Sequence, residues 1–184
     1  MSAEHWYALK VFYNRVKFIK DKLDAECLTT YLPLNAEGRP LIASLLFVKC
    51  SQNQVLRVKH ENDNQLFVYT RRMRNMQTLT NATTGEVLTQ QSEYYCNLPS
   101  PIDENEMKAF MIVADSVTDG LQYLGPDDPR YHEGTRVRVL KGPLKGAEGF
   151  IKRIKKDRKF IVCVSGVAAI ATAHIDPENL MRLD

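Results

Sequence analysis

Along the first hundred residues apolar side chains recur with two different periods, and the switches between them mark the elements. His5 to Val11 is dense in aromatic and branched residues and reads as a strand. Asn14 is placed to cap a helix reaching about Glu26, in which Val16, Ile19 and Leu23 form a core stripe. Its wet side carries Lys17–Asp21, Lys20–Asp24 and Lys22–Glu26 at i,i+4 spacing. Leu28 to Leu34 reads as a second strand stopped by Pro33, ahead of the turn Glu37-Gly38-Arg39-Pro40. Ile42 to Lys49 is a third strand, apolar on both faces, and Gln65 to Thr70 is a fourth. Ala82 to Val87 has the composition of a hairpin tip. Asp103, with Glu106 three residues on, makes a capping-box-like start for a helix bearing Met107, Phe110, Met111 and Ala114 on one face. Helices that bury one stripe against an antiparallel sheet predict an α+β sandwich over residues 1–115.

The pattern changes beyond that point. Ser116 to Glu133 is rich in Gly, Pro and Asp and poor in aliphatics, so 116–133 reads as a linker. Residues 134–184 then carry short strand signals: Arg136–Leu140, Glu148–Ile154, a charged tip at Lys155–Lys159, Phe160–Val164 and Val167–His174. Short strands spaced this closely in about fifty residues predict a small five-stranded closed barrel near the lower size limit for an independent core. The branched residues favour strands there over a helical hairpin, although Ala168 to Ala173 is alanine-rich.

Charge sharpens this division. The net +3 of the 184 residues conceals +5 over 1–74, −8 over 75–133 and +6 over 134–184. Two basic blocks flanking an acidic one suit contact with polyanions or acidic proteins. No apolar run exceeds six residues, so no bilayer span is expected, and the first residues show no secretory pattern. Cys27, Cys50, Cys96 and Cys163 are widely spaced, which predicts free thiols in a cytoplasmic setting and neither a zinc motif nor another cofactor.

The segment Gly134 to Ile154 is the most specific in the chain. Physically it is strand, tight turn, strand, with Gly142-Pro143 opening the turn. Val137, Val139, Gly142, Pro143, Gly146, Gly149 and Ile154 fall at the spacing of a KOW motif, which this segment resembles. It lacks the Gly-Lys-Ser/Thr of a nucleotide-binding loop. Together with Trp6-Tyr7, Leu45-Leu46-Phe47-Val48-Lys49 and Leu98-Pro99-Ser100-Pro101, the chain resembles a NusG-type transcription elongation factor. Gly166 to Ile175, and Arg71 onward, are similar to the specialised RfaH-like branch and closest to the UpxY antiterminators of capsular polysaccharide operons.

That resemblance implies an N-terminal domain of the NGN type that binds the clamp helices of RNA polymerase, joined to an SH3-like KOW barrel. It places an apolar groove at Leu45 and Phe47, with Phe67 and Tyr69 as its extension; the residues alone also allow these to be plain core. Lys10, Arg15, Lys17, Lys20, Arg71, Arg72 and Arg74 are the basic candidates for exposed non-template DNA. Lys152, Arg153, Lys155, Lys156, Arg158 and Lys159 are dense enough to touch RNA. The family more often uses the barrel to hold a ribosomal protein or Rho, near His174 and Ile175. Such a factor acts as a monomer, away from membranes, with no bond made or broken. The rival classes are a ribosome-associated KOW RNA-binding protein and an enzyme with an RNA-binding tail. For the last, His5, His60, His132 and His174 are scattered, and no Ser or Cys has a partner at motif spacing. Glu104, Glu106, Asp127 and Asp128 are accounted for by capping and solubility.

Overall fold

The computed structural model describes residues 3–80, 87–116, 120–154, 157–172 and 175–183. The first sheet is built from β1 (His5–Val11), β2 (Thr29–Tyr31), β3 (Leu45–Cys50) and β4 (Leu66–Val68), all antiparallel in the order β2-β3-β1-β4. Helices α1 (Val16–Ala25) and α2 (Gln52–Glu61) cover one face. There Val16, Ile19, Leu23, Val55 and Val58 close over Tyr7, Leu9, Leu46 and Val48. Helix α1 falls where its apolar stripe put it, but Asn14 does not cap it. The cap position is Arg15, without a side-chain bond, while Tyr13 and Asn14 take left-handed φ values of 58° and 55°. Helix α2 has no counterpart in the periodicity because its hydrophobic stripe is short. Its start is nevertheless written in Ser51 and Gln54, which form a complete capping box.

Two long strands follow, β5 (Thr70–Thr80) and β6 (Val87–Pro99), paired antiparallel from Thr70 opposite Pro99. The expected hairpin tip at Ala82–Val87 lies outside the described residues up to position 86. The chain then enters α3 (Glu104–Ser116), where the Asp103 carboxylate accepts from the Asn105 and Glu106 amides as anticipated. Glu106 does not complete a capping box. Its carboxylate accepts instead from the amide and hydroxyl of Ser165, at 2.9 and 2.6 Å.

The C-terminal sheet contains β7 (Gln122–Gly125), β8 (Thr135–Val139), β9 (Glu148–Ile154), β10 (Asp157–Val164), β11 (Ala168–Ala171) and β12 (Leu180–Arg182). The order is β12-β8-β9-β10-β11-β7, so the ladder has six strands where five were expected. The added strand, β7, comes from the segment expected to be linker, and it pairs with β11. The reason is the composition of β10 and β11, which are apolar on both sides. Phe160, Val162, Val164 and Ile170 fill one core, while Ile161, Cys163, Ala169 and Ala171 form a second cluster covered by Leu124 and Tyr131. A sheet with two apolar faces needs two covers, and the connecting segment supplies one. Among the described residues, 134–183 holds strands and one short 3-10 turn, with no α-helix. No helix among the described residues is long and apolar enough to cross a membrane.

Gly149 sits at the tightest point of this sheet. A Cβ there would lie 2.3 Å from the Ile161 carbonyl oxygen and 2.9 Å from the Phe160 ring. Backbone cannot yield as a side-chain tip can. Gly149→Ala is therefore expected to destabilise the protein by about 2–3 kcal/mol, read as a drop in unfolding midpoint in urea. An unchanged midpoint would contradict the packing described.

Candidate functional site

The register of the first sheet decides which side chains share a face. Trp6, Ala8 and Lys10 stand opposite Lys49, Phe47 and Leu45 on β3, and Lys10 also stands opposite Phe67 on β4. Leu45, Phe47 and Phe67 therefore project from one side, the side away from α1 and α2. Tyr69 continues it, with its amide donating to the Ala8 carbonyl and its ring 6.1 Å from that of Phe67. The four residues expected to line a groove are thus gathered on one face.

They are not equally open. Leu45 and Phe47 lie beneath α3 in a cluster with Met107, Phe110 and Val113. The Phe47 ring, fully buried, packs 5.4 Å from Phe110 and 6.2 Å from Tyr31. The Tyr31 hydroxyl donates to Asp115 at 2.7 Å, and burial first, then that carboxylate, push its phenol well above the ordinary range. At the edge of the same face Phe67 is 43% exposed and Lys10 is exposed. Tyr69 is half-buried, and its phenol is raised by burial first and then by the Tyr123 phenol of β7.

The basic residues divide. Lys17 and Lys20 ride on α1, which covers the opposite face, with Lys20 paired to Asp24 at 2.5 Å and Lys17 reaching the Gly38 carbonyl. Arg15 donates to Gln65 beside α1. Arg71, Arg72 and Arg74 are exposed on β5, which leaves the sheet directly after Tyr69. An aromatic rim thus runs into a basic strand within eight residues, from Phe67 to Arg74.

On the C-terminal sheet the motif residues act structurally. Val137 and Val139 are buried, and Gly142 and Gly146 take φ values of 82° and 89° in the turn. The Pro143 carbonyl accepts from Ser116 at the end of α3, and Ile154 ends β9. A groove of about 320 Å³ opens on this sheet, with Arg153, Arg158, Arg182 and Ile175 among its walls. Ile175 was expected at a partner contact; His174, Lys155 and Lys156 lie outside the described residues. Lys152 and Lys159 instead hold the connecting segment, through Arg130 and Gln122.

One cluster had no signal in the sequence. Asp127, His132 and Cys163 bring three ligand-type atoms within 4.8 Å of one another. They sit beside a cleft of about 360 Å³ whose walls include Glu106, Phe150 and Glu148.

No protein-family model matches the sequence, and no curated protein matches it either. Among solved structures, one described as domain interaction in Thermotoga maritima NusG is similar over 98% of both chains, at 14% identity and a TM-score of 0.46.

Burial separates the two phenylalanines of the face experimentally. Phe47→Ala leaves a large cavity against Phe110 and is expected to cost about 3–5 kcal/mol of stability. Phe67→Ala, at the open rim, is expected to stay within about 1 kcal/mol of the parent. Urea unfolding of both variants checks this, and comparable losses would contradict the placement.

Proposed function

We propose that the protein is a non-enzymatic, cytoplasmic transcription elongation factor. It binds the clamp helices of RNA polymerase through the face carrying Phe67 and Tyr69 and guides non-template DNA along β5. It thereby suppresses pausing or termination, in keeping with the UpxY-like features of its sequence, at operons for surface polysaccharide. The observation that carries the reading is the continuity of the aromatic rim with the basic strand: Phe67 and Tyr69 lead straight into Arg71, Arg72 and Arg74. Aromatic anchors at a groove edge suit an apolar helix, and adjacent cations suit the phosphates of a displaced strand. Leu45 and Phe47 support the rim from beneath.

The C-terminal sheet would recruit a second partner at the groove of Ile175, Arg153, Arg158 and Arg182. These three arginines also favour a second reading, a ribosome-associated RNA-binding protein. Affinity capture from lysate distinguishes the two: polymerase subunits support the first, ribosomal particles the second.

Phe67→Ala is expected to weaken polymerase binding by about 2 kcal/mol, roughly thirtyfold in Kd, with the fold intact. Unchanged binding would remove the rim from the interface. Replacing Arg71, Arg72 and Arg74 by Ala is expected to flatten the salt dependence of single-stranded DNA binding. The slope of log K against log salt would fall by about 0.7 for each phosphate that is no longer neutralised. An unaltered slope would rule the strand out as a DNA-binding element.

A further inference from the structure

The Asp127–His132–Cys163 cluster has the composition of a zinc site. Cys163 sits on β10 and is 6% exposed; Asp127 and His132 come from the connecting segment that covers this strand. The Asp127 Oδ1 lies 2.8 Å from His132 Nε2. Its other oxygen, Oδ2, accepts from the Gly166 amide at 2.9 Å, which fixes the carboxylate with Oδ1 turned to the histidine. The His132 ring is held edge-on to Phe150, with centroids 5.4 Å apart. Three donors of three kinds thus converge, one on the sheet and two on the segment docked against it.

We infer that Asp127 Oδ1, His132 Nε2 and Cys163 Sγ form a binding site for a zinc-class divalent ion, with a fourth position open to the neighbouring cleft. Thiolate with imidazole selects this class over magnesium or calcium, which prefer oxygen donors. Bonds of about 2.0 Å to oxygen and nitrogen and 2.3 Å to sulfur require the Oδ1–Nε2 pair to open by about half an ångström. A change of that size needs only small side-chain rotations. The ion replaces the protons now shared between these groups: the thiol proton leaves to solvent, and the imidazole binds through its unprotonated nitrogen. Glu106 of α3 lines the same cleft and carries negative charge toward it, while Arg136 there is engaged by Glu148. Bound metal would fasten the connecting segment to β10 and so hold β7 on the edge of the sheet. Sequence spacing conceals the site, because its ligands are separated by five and by thirty-one residues and only the docked segment unites them.

The test uses the full-length, tag-free protein after chelation, titrated with Zn²⁺ and then with Co²⁺ as a spectroscopic probe. One ion per chain is expected, with a thiolate-to-cobalt charge-transfer band and intense visible bands of a four-coordinate centre. Zinc should also raise the thermal midpoint. Cys163→Ser should abolish the charge-transfer band. His132→Asn, at a more exposed position, should lower zinc affinity by more than the roughly 10- to 100-fold that changes around the ligands cost. Circular dichroism establishes that each variant is folded, and if Cys163→Ser is not, His132→Asn decides alone. Absence of the charge-transfer band, or equal affinity in a folded His132→Asn, would overturn the proposal and leave only adventitious surface binding. Because the readout is metal binding, failure here leaves the polymerase reading untouched, and failure of polymerase binding leaves this one.

Discussion

Helix α3 is the element on which the rest of the structure depends, because it is buried on more than one side. Met107, Phe110 and Val113 are fully enclosed, and Ala109 and Ala114 nearly so. One side closes the face of the first sheet over Trp6, Ala8 and Phe47, and another meets β9 and β10. A single apolar cluster therefore runs from the first sheet through the helix into the C-terminal sheet. The helix is tied at both ends as well, by Glu106 to Ser165 and by Ser116 to the Pro143 carbonyl. Small residues such as Ala109 permit that double packing, since backbones can approach closely only where side chains are short.

Most of the fold was legible where periodicity was long and clean. Strand β1, helix α1, the two-faced β3 and the start of α3 at Asp103 followed from alternation, stripe and cap. What escaped depended on partners distant in sequence. Helix α2 has only Val55 and Val58 buried, so its stripe is too thin to stand out, and the Ser51–Gln54 capping box was the available signal. Composition alone assigned 116–133 to a linker. Nothing local in Leu124 or Tyr131 announces that they cover Ile161 and Cys163. The clue lay instead in β10 itself, whose five consecutive apolar residues leave neither face fit for water.

The candidate site divides along the same line. Alternation correctly grouped Leu45 with Phe47, and the register adds Phe67 beside Lys10. Alternation cannot report what lies above a face, and so it could not tell the enclosed Phe47 from the open Phe67. Charge counting likewise gathered Lys10, Lys17 and Lys20 into one group, although α1 lies across the sheet from Lys10. Asp127, His132 and Cys163 illustrate the limiting case, in which the chemistry is created wholly by tertiary docking.

The division between enclosed and open residues restricts how a partner can use this face. Lifting α3 from the first sheet would expose Phe47, Met107, Phe110 and Val113 together. At about 1.5–3 kcal/mol for each large side chain, that costs roughly 6–12 kcal/mol. Such a sum is comparable to the whole net stability of an ordinary domain. A partner helix that had to pry α3 away would spend most of a nanomolar affinity on the opening alone. The rim of Phe67, Tyr69 and Lys10 carries no such cost, since it is already partly open. The two halves of the chain are joined instead through α3, which packs into the apolar cluster of both.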